Sequence, residues 1–284
     1  MKNRFRITPI DGDRLCRVNH VAVLGSVRHR GLSEMSLAFV LMVTLAFVAV
    51  QLQQVAFAAD TGELARTILE KADRIRFPQK GFQVEVVITS TAQGGSHEVR
   101  QYRILSKGNE NTVVMVTEPA AERGQIMLMK GRDLWVFLPS VSQPVRLSLA
   151  QRLTGQVANG DLARSNFTGD YTPRLLRTDV VDGEKYYVLE LNAVDRGVTY
   201  HKVIYWVKEA TFQPHRAEFY ALSGRLLKVC RYENYRSVLG IMRPTRLVME
   251  DAVRKGETSV LDYSGMKLRD LPDKVFTKDY LKNL

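Results

Sequence analysis

The sequence predicts a mainly β, α+β protein built on one curved antiparallel sheet. From residue 82 onwards, apolar and polar residues alternate in one segment after another, with the period of two that is typical of strands with one face on a core. Gly, Asn and Asp mark most of the short links between these segments, as hairpins between antiparallel neighbours require. A single sheet with that many strands has to curl.

Residues 1–58 are predicted to be a leader that is removed. Residues 36–50 carry no charge, Arg28 and Arg30 precede them, and Ala56–Ala58 has the small residues of a cleavage site. The apolar run is shorter than the roughly 18–20 residues that span a bilayer. The pattern therefore indicates a cleavable secretory signal and export to the periplasm, with an uncleaved membrane anchor as the alternative.

The remaining residues, 59–284, are interpreted as a single domain that opens with a helix. Thr61 fits an N-cap, and apolar residues recur at helical spacing as far as Pro78. The apolar positions of this predicted helix are Leu64, Ile68, Leu69, Ala72 and Ile75.

Strand alternation follows the helix. The segment 82–90 places Phe82, Val84, Val86 and Ile88 on one face of its strand. The other predicted strands are 97–106, 111–118, 125–131, 133–139, 183–193, 198–208, 212–221, 225–235, 241–251 and 257–268.

Residues 149–173 interrupt the strands. They show no alternation, and Leu149, Leu153 and Val157 fit one side of a short helix. Because this segment lies between two runs of antiparallel strands, we interpret it as a mobile lid over the curled sheet.

The charge and cysteine content exclude several classes of protein. The formal net charge is +11, but the charges are spread over many strands, and no nucleic-acid-binding motif is present. The two cysteines are Cys16, in the leader, and Cys230, so the processed chain has no internal disulfide. Cys230 lies in an apolar strand pattern and is predicted to be a small buried hydrophobic residue.

Catalytic and metal-binding patterns are missing from the sequence. His97, His201 and His215 lie on separate strands, without HxH, HExxH or CxxC spacing. There is no GxSxG elbow, no GxGxxG turn and no Walker loop. Asp161 and Asp170 lie in the lid without a sequence signal for a partner. The sequence thus predicts no enzyme, no metal and no cofactor.

Apolar residues are in surplus in the segment DLWVFLPSVSQPVRLS. Residues 134–138 and 126–129 are apolar on both faces of their strands. One interpretation is a strand buried on both sides; the other is a curved sheet whose concave face lines an apolar cavity. The second predicts a hydrophobic binding site formed by Met127, Met129, Leu134, Trp135, Val136, Phe137, Leu138, Leu149, Leu153 and Phe167, without fixing which face of strand 133–139 is open.

The same segment resembles the signature of outer-membrane lipoprotein-sorting proteins of the LolA/LolB-like superfamily. In that family an LWxYLP-type strand leads through a Ser-containing turn into a basic strand, which here contains Arg146. The resemblance covers residues 59–284. It departs at LARSNFTGDYTPRL, where family members have a GSDFSYEDL-like segment, so the lid is the part that follows the family least.

The resemblance implies an unclosed antiparallel β-barrel with helices as plug and lid, and a hydrophobic cavity for lipoprotein acyl chains. It implies a monomeric periplasmic carrier in outer-membrane lipoprotein sorting, which receives acyl chains or a related lipid from an inner-membrane transporter and delivers them to an outer-membrane acceptor. The alternative is an envelope sensor or regulatory adaptor of the same fold that binds lipid or unfolded protein.

Overall fold

A computed structural model describes residues 32–108, 110–164 and 166–281. It divides into a unit that ends at Gln54 and a unit that begins at Val55. The first unit contains the beginning of helix α1, Leu32–Arg76, with exposed apolar side chains such as Phe39 and Met42. No helix in the described ranges has the length and hydropathy needed to cross a membrane. Residues 1–31 of the predicted leader lie outside the described residues.

The helix α1 ends at Arg76, before Pro78, as the sequence predicts. Its predicted start at Thr61 is wrong, because helix continues from Leu32 without a break. The apolar run before Thr61 has no Pro or Gly to stop a helix, so a cap at that position is not needed.

Fifteen strands follow among the described residues, and thirteen of them form one antiparallel sheet. Its strands, in the spatial order of the sheet, are β6 (Val145–Leu147), β5 (Asp133–Phe137), β4 (Ile126–Lys130), β3 (Asn111–Glu118), β2 (His97–Lys107), β1 (Phe82–Thr91), β15 (Thr258–Leu268), β14 (Ile241–Asp251), β13 (Leu226–Val238), β12 (Pro214–Tyr220), β11 (Lys202–Lys208), β10 (Glu184–Ala193) and β9 (Tyr171–Val181). The first strand, β1, thus pairs with the last strand, β15. The strands β6 and β9 form the two edges of the sheet, which does not close.

The predicted fold class, a mainly β protein with a curved and unclosed antiparallel sheet, is confirmed. The other elements are short: β7 (Arg152–Thr154), β8 (Val157–Ala158), α2 (Asn159–Ala163), α3 (Lys278–Leu281), and 3-10 turns at Ala120–Glu122 and Asp273–Phe276.

The segment 149–173 differs from its prediction in two ways. Leu153 and Val157 belong to the hairpin of β7 and β8, and not to one side of a helix. Gly155 has a φ of 48° in the turn between them, which breaks any helix at this point. The segment also ends earlier than predicted, because Tyr171 already begins the edge strand β9.

The inner face of the sheet is the face that packs on α1. Val84, Val86 and Ile88 of β1 are fully buried there, against Ile68 of the helix. Contributions from most of the other strands complete this inner cluster, among them Tyr102, Val114, Met129, Leu191, Val203, Tyr205, Cys230, Leu247 and Leu261. Alternation along each strand explains why residues of one parity meet in one core.

A second, outer cluster lies on the opposite face of β3, β4 and β5. Val113, Ile126 and Leu128 are buried against the C-terminal residues Leu271, Val275, Phe276 and Leu281. Trp135 and Phe137 pack against the same cluster, and Lys278 Nζ lies 4.0 Å from the centroid of the Trp135 ring. The apolar residues on both faces of β4 and β5 are therefore explained by two packed layers, one on each side of the sheet.

Candidate functional site

The described residues 149–164 and 166–170, here called the plug, lie against the inner face of the unclosed sheet, which we call the half-barrel. The plug starts with Leu149, passes through the hairpin β7–β8 and the helix α2, and leads into β9. Leu149, Val157, Leu162 and Phe167 are at most 7% exposed and belong to the inner cluster. The plug thus supplies the apolar side chains that cover the concave face.

Polar contacts, and not strand pairing with the large sheet, hold the plug in place. The strands β7 and β8 form a two-stranded sheet of their own. Three groups of buried charged residues connect the plug to the half-barrel, and we call them the first, second and third anchor.

The first anchor is Lys228 of β13. Its Nζ donates to Asp161 Oδ2 at 2.6 Å and to the carbonyl oxygen of Gln156 at 2.7 Å. The Tyr200 hydroxyl donates to both carboxylate oxygens of Asp161, at 3.0 and 2.9 Å. Burial, followed by the charge of Asp161, raises the pKa of Tyr200 well above its ordinary value, so this hydroxyl remains a donor. A buried cation, anion and hydroxyl thereby fix the start of α2.

The second anchor is Asp170, at the end of the plug. It accepts hydrogen bonds from Arg164 Nε, from Arg164 Nη2 at 2.8 Å and from Arg132 Nε at 3.0 Å. Arg164 Nη1 also donates to the carbonyl oxygen of Gly131 at 2.8 Å. Because Gly131 and Arg132 form the turn between β4 and β5, this anchor ties the plug to the strands of the apolar segment.

The third anchor is Asp73 on α1. Its Oδ2 accepts from the backbone N of Phe167 at 2.9 Å, and from the backbone N and the hydroxyl of Thr168, both at 2.7 Å. Arg76 Nη1 lies 3.5 Å from the other carboxylate oxygen, and its guanidinium lies 4.6 Å from the centroid of the Phe167 ring. Burial raises the pKa of the Asp73 carboxyl, although Arg76 and the hydrogen bonds act in the opposite direction.

Two glycines let the plug backbone approach the sheet closely. A Cβ on Gly160 would lie 2.0 Å from Thr199 Oγ1, and a Cβ on Gly155 would lie 2.2 Å from Ser90 Oγ. The backbone N of Gln156 donates to Ser259 Oγ at 2.9 Å beside the second of these contacts. The plug therefore fits against its seat without room for side chains at these two positions.

The predicted binding residues fall on both faces of the sheet. Trp135 and Phe137 lie in the outer cluster, and Leu138 is half-buried beyond the end of β5. The other seven come together in or against the inner cluster: Met127, Met129, Leu134, Val136, Leu149, Leu153 and Phe167. Leu149, Leu153 and Phe167 belong to the plug, so an apolar ligand inside the half-barrel would meet the sheet residues only after the plug has moved.

The anchors are the residues that sequence reasoning missed. Asp161 and Asp170 have buried partners that the sequence pattern did not assign: Lys228 lies 67 residues from Asp161, and Arg164 lies 6 residues from Asp170. One signal was available: Lys228 has the same strand parity as Cys230 and Tyr232, so a charge falls on an inner-face position of an apolar strand. Among the described residues, His, Cys, Asp and Glu do not assemble in threes as a metal site requires.

A pocket of about 450 Å³ opens beside the hairpin β7–β8, where β13 begins and β14 ends. Inside the half-barrel, by contrast, a pocket of about 20 Å³ separates the plug from Arg76 and Tyr232. That volume suits a single water molecule and no lipid chain. The seated plug therefore fills the space beside Arg76 and Tyr232 almost completely.

Comparison with known proteins gives a consistent result. A family model described as an uncharacterized protein matches residues 108–283. No curated protein matches the chain. The crystal structure of LolA superfamily protein NE2245 from Nitrosomonas europaea is 67% identical and has a TM-score of 0.74, with 76% of this chain and 98% of that chain covered.

Two more distant crystal structures share the fold. A DUF1329 family protein from Desulfovibrio piger is 23% identical, with a TM-score of 0.68 over 78% of this chain and 99% of that chain. A putative outer membrane lipoprotein-sorting protein domain from Vibrio parahaemolyticus is 20% identical, with a TM-score of 0.65 over 78% of this chain and 99% of that chain.

Proposed function

This chain belongs to the LolA superfamily, and from that premise we propose that it is a periplasmic carrier of lipoprotein acyl chains or a related lipid. The ligand chains occupy the inside of the half-barrel, in the space that the plug fills in the structure. Binding and release are sufficient for this function, so it includes no catalytic step.

The observation that carries the proposal is the way in which the apolar interior is covered. The inner face of the sheet is lined by apolar side chains, yet its cover is a segment with few strand hydrogen bonds that is held by three polar anchors. Because β7 and β8 of the plug do not pair with the large sheet, we expect the plug to open at a lower free energy than the sheet itself. A half-barrel that opens without unfolding is what a carrier requires.

Displacement of the plug by lipid involves favourable and unfavourable contributions to the free energy. Each methylene group that leaves water stabilises the complex by about 0.8 kcal/mol. Against this, Leu149, Leu162 and Phe167 of the plug lose their apolar contacts, and the anchors separate. The net affinity is thereby kept low enough for the ligand to be passed on.

Export and partners complete the proposal. The signal-like residues 36–58 direct the chain to the periplasm, where cleavage follows Ala58. An inner-membrane transporter supplies the lipid and an outer-membrane acceptor receives it, while the carrier acts as a monomer. Membership of the LolA superfamily, shown by the 67% identical Nitrosomonas protein, supports this assignment.

Lipid loading is expected to expose the plug. After incubation with vesicles of phosphatidylethanolamine and phosphatidylglycerol and removal of the vesicles, mass spectrometry should detect lipid on the soluble protein. Amide exchange in residues 149–170 should be faster in the loaded than in the free protein, because the plug has left its seat. Amides at the centre of β13 and β14 provide the internal control. Protein that carries no lipid, or a plug that is equally protected in both states, would contradict the proposal.

Tryptophan fluorescence is expected to distinguish the two faces of the sheet. Trp135 packs in the outer cluster, and Trp206 Nε1 donates to Asp179 Oδ2 at 3.0 Å on the face opposite to Tyr205. Brominated acyl chains inside the half-barrel should therefore leave the fluorescence of the unchanged protein as it is. They should quench a Phe219→Trp variant, which places an indole in the inner cluster.

Strong quenching in the unchanged protein, removed by Trp135→Phe, would show that the ligand lies on the outer side of β5. That result would support the prediction that Trp135 lines the binding site, and it would contradict our placement of the ligand inside the half-barrel.

A further inference from the structure

The pocket beside the hairpin β7–β8 has a composition that differs from the interior of the half-barrel. Its volume of about 450 Å³ falls within the range of about 300–1,000 Å³ that is usual for small-molecule sites. Its walls combine the apolar side chains of Val157, Leu226 and Leu227 with basic residues from three separate parts of the chain.

The basic residues give the mouth of the pocket a net positive charge. Arg152 and Arg225 are exposed, and within the described part of the chain neither has an acidic partner. Arg254, by contrast, lies 3.0 Å from Asp251 Oδ2 and 3.1 Å from Glu257 Oε2. Three arginines and two carboxylates thus leave a net charge of +1 at the edge of the pocket, and Arg152 and Arg225 are the arginines free to bind an anion.

The buried end of the pocket adjoins the first anchor. Lys228 is 3% exposed and lines the pocket together with Tyr200 and Gln156, while its charge is compensated by Asp161. The pocket therefore shares a wall with the plug, and a ligand that enters here touches the residues that keep the plug seated.

We propose that this pocket binds the phosphate of an anionic amphiphile, while the acyl chains of the same molecule enter the half-barrel. The inference deepens the proposed carrier function and rests on it. Arginine suits this role because its planar guanidinium donates two parallel hydrogen bonds to a phosphate. The apolar wall suits the glycerol and first methylene groups, which link a phosphate to its chains.

The test compares two lipids with identical acyl chains, fluorescent phosphatidylglycerol and fluorescent diacylglycerol, which lacks the phosphate, together with soluble glycerol 1-phosphate. The unchanged protein should bind phosphatidylglycerol about tenfold more tightly than diacylglycerol, and added salt should reduce this preference. An R152Q/R225Q variant should lose the preference and keep its affinity for diacylglycerol.

The matched control is R196Q/R236Q. Arg196 and Arg236 are also exposed and, among the described residues, have no acidic partner, and Arg236 lies near the other end of β13. The control removes the same net charge and should leave both affinities unchanged. If the control loses the preference for phosphatidylglycerol to the same extent, the preference arises from the overall charge of the protein, and the proposal is overturned.

The two lipids and the free phosphate ester distinguish the possible negative results. Equal affinity for the two lipids in the unchanged protein would overturn the phosphate site and leave the carrier function standing. Arginine-dependent binding of glycerol 1-phosphate without binding of either lipid would assign the pocket to a free phosphate ester and overturn both the amphiphile and the carrier function. The salt dependence is measured on the unchanged protein, so the proposal can be tested even where the double variant is unstable.

Discussion

Oxidation of a Gly160→Cys/Thr199→Cys protein is expected to abolish lipid loading, and reduction is expected to restore it. A Cβ at position 160 would lie 3.0 Å from the Cβ of Thr199. Cβ atoms in disulfides are about 3.5–4.5 Å apart, so a small outward shift of α2 brings the two sulfur atoms into bonding range. The disulfide would join the plug to the segment before β11, and the apolar interior would remain covered.

The effect should be close to complete, because the plug and the acyl chains occupy the same space. Thr199→Cys alone, treated with the same oxidant, is the matched control. Cys230 does not compete in this experiment, since it is fully buried and burial raises the pKa of its thiol to about 12. Lipid uptake by the oxidised double variant at the level of the reduced one would show that loading does not require the plug to leave.

Sequence reasoning predicted those parts of the fold in which local and tertiary signals agree. Strands such as β1 and β14 alternate clearly and begin and end within a residue or two of their predicted bounds. The edge strand β9 was missed because it is half-exposed on both faces, starts beside the plug and contains Pro173, all of which weaken the strand pattern. The hairpin β7–β8 is too short to produce a periodic pattern.

The candidate site was predictable in its apolar part and hidden in its polar part. Strands with apolar residues on both faces indicated either a packed layer on each side of the sheet or a packed layer on one side and a ligand on the other. Sequence alone does not distinguish these two arrangements. The structure shows that Phe276 and its C-terminal neighbours cover the outer layer, more than a hundred residues from β5 in sequence. Asp161 and Lys228 are 67 residues apart in sequence, so no local pattern could have joined them.

Lys228→Met is expected to release the plug, and it is the second change for which we expect a large effect. The substitution preserves most of the apolar length of the side chain and removes the charge that Asp161 and the Gln156 carbonyl oxygen accept from. Removal of one partner of a buried ion pair costs about 3–5 kcal/mol, because the other charge remains buried and uncompensated. Asp161 escapes this cost by moving into water with α2, so the loss should appear mainly as opening of the plug.

The measurement is amide exchange in residues 149–170 together with the free energy of unfolding. Exchange in the plug should accelerate strongly in the Lys228→Met protein, while the sheet stays protected. Adding Asp161→Asn should slow exchange again, because the neutral amide still accepts from the Tyr200 hydroxyl and from the backbone N of Ala158 without a buried charge. Lys185→Met, at an exposed position, is the control that should change neither quantity. If exchange in the plug is unchanged in the Lys228→Met protein, the first anchor contributes little. The second and third anchors would then suffice to keep the plug seated.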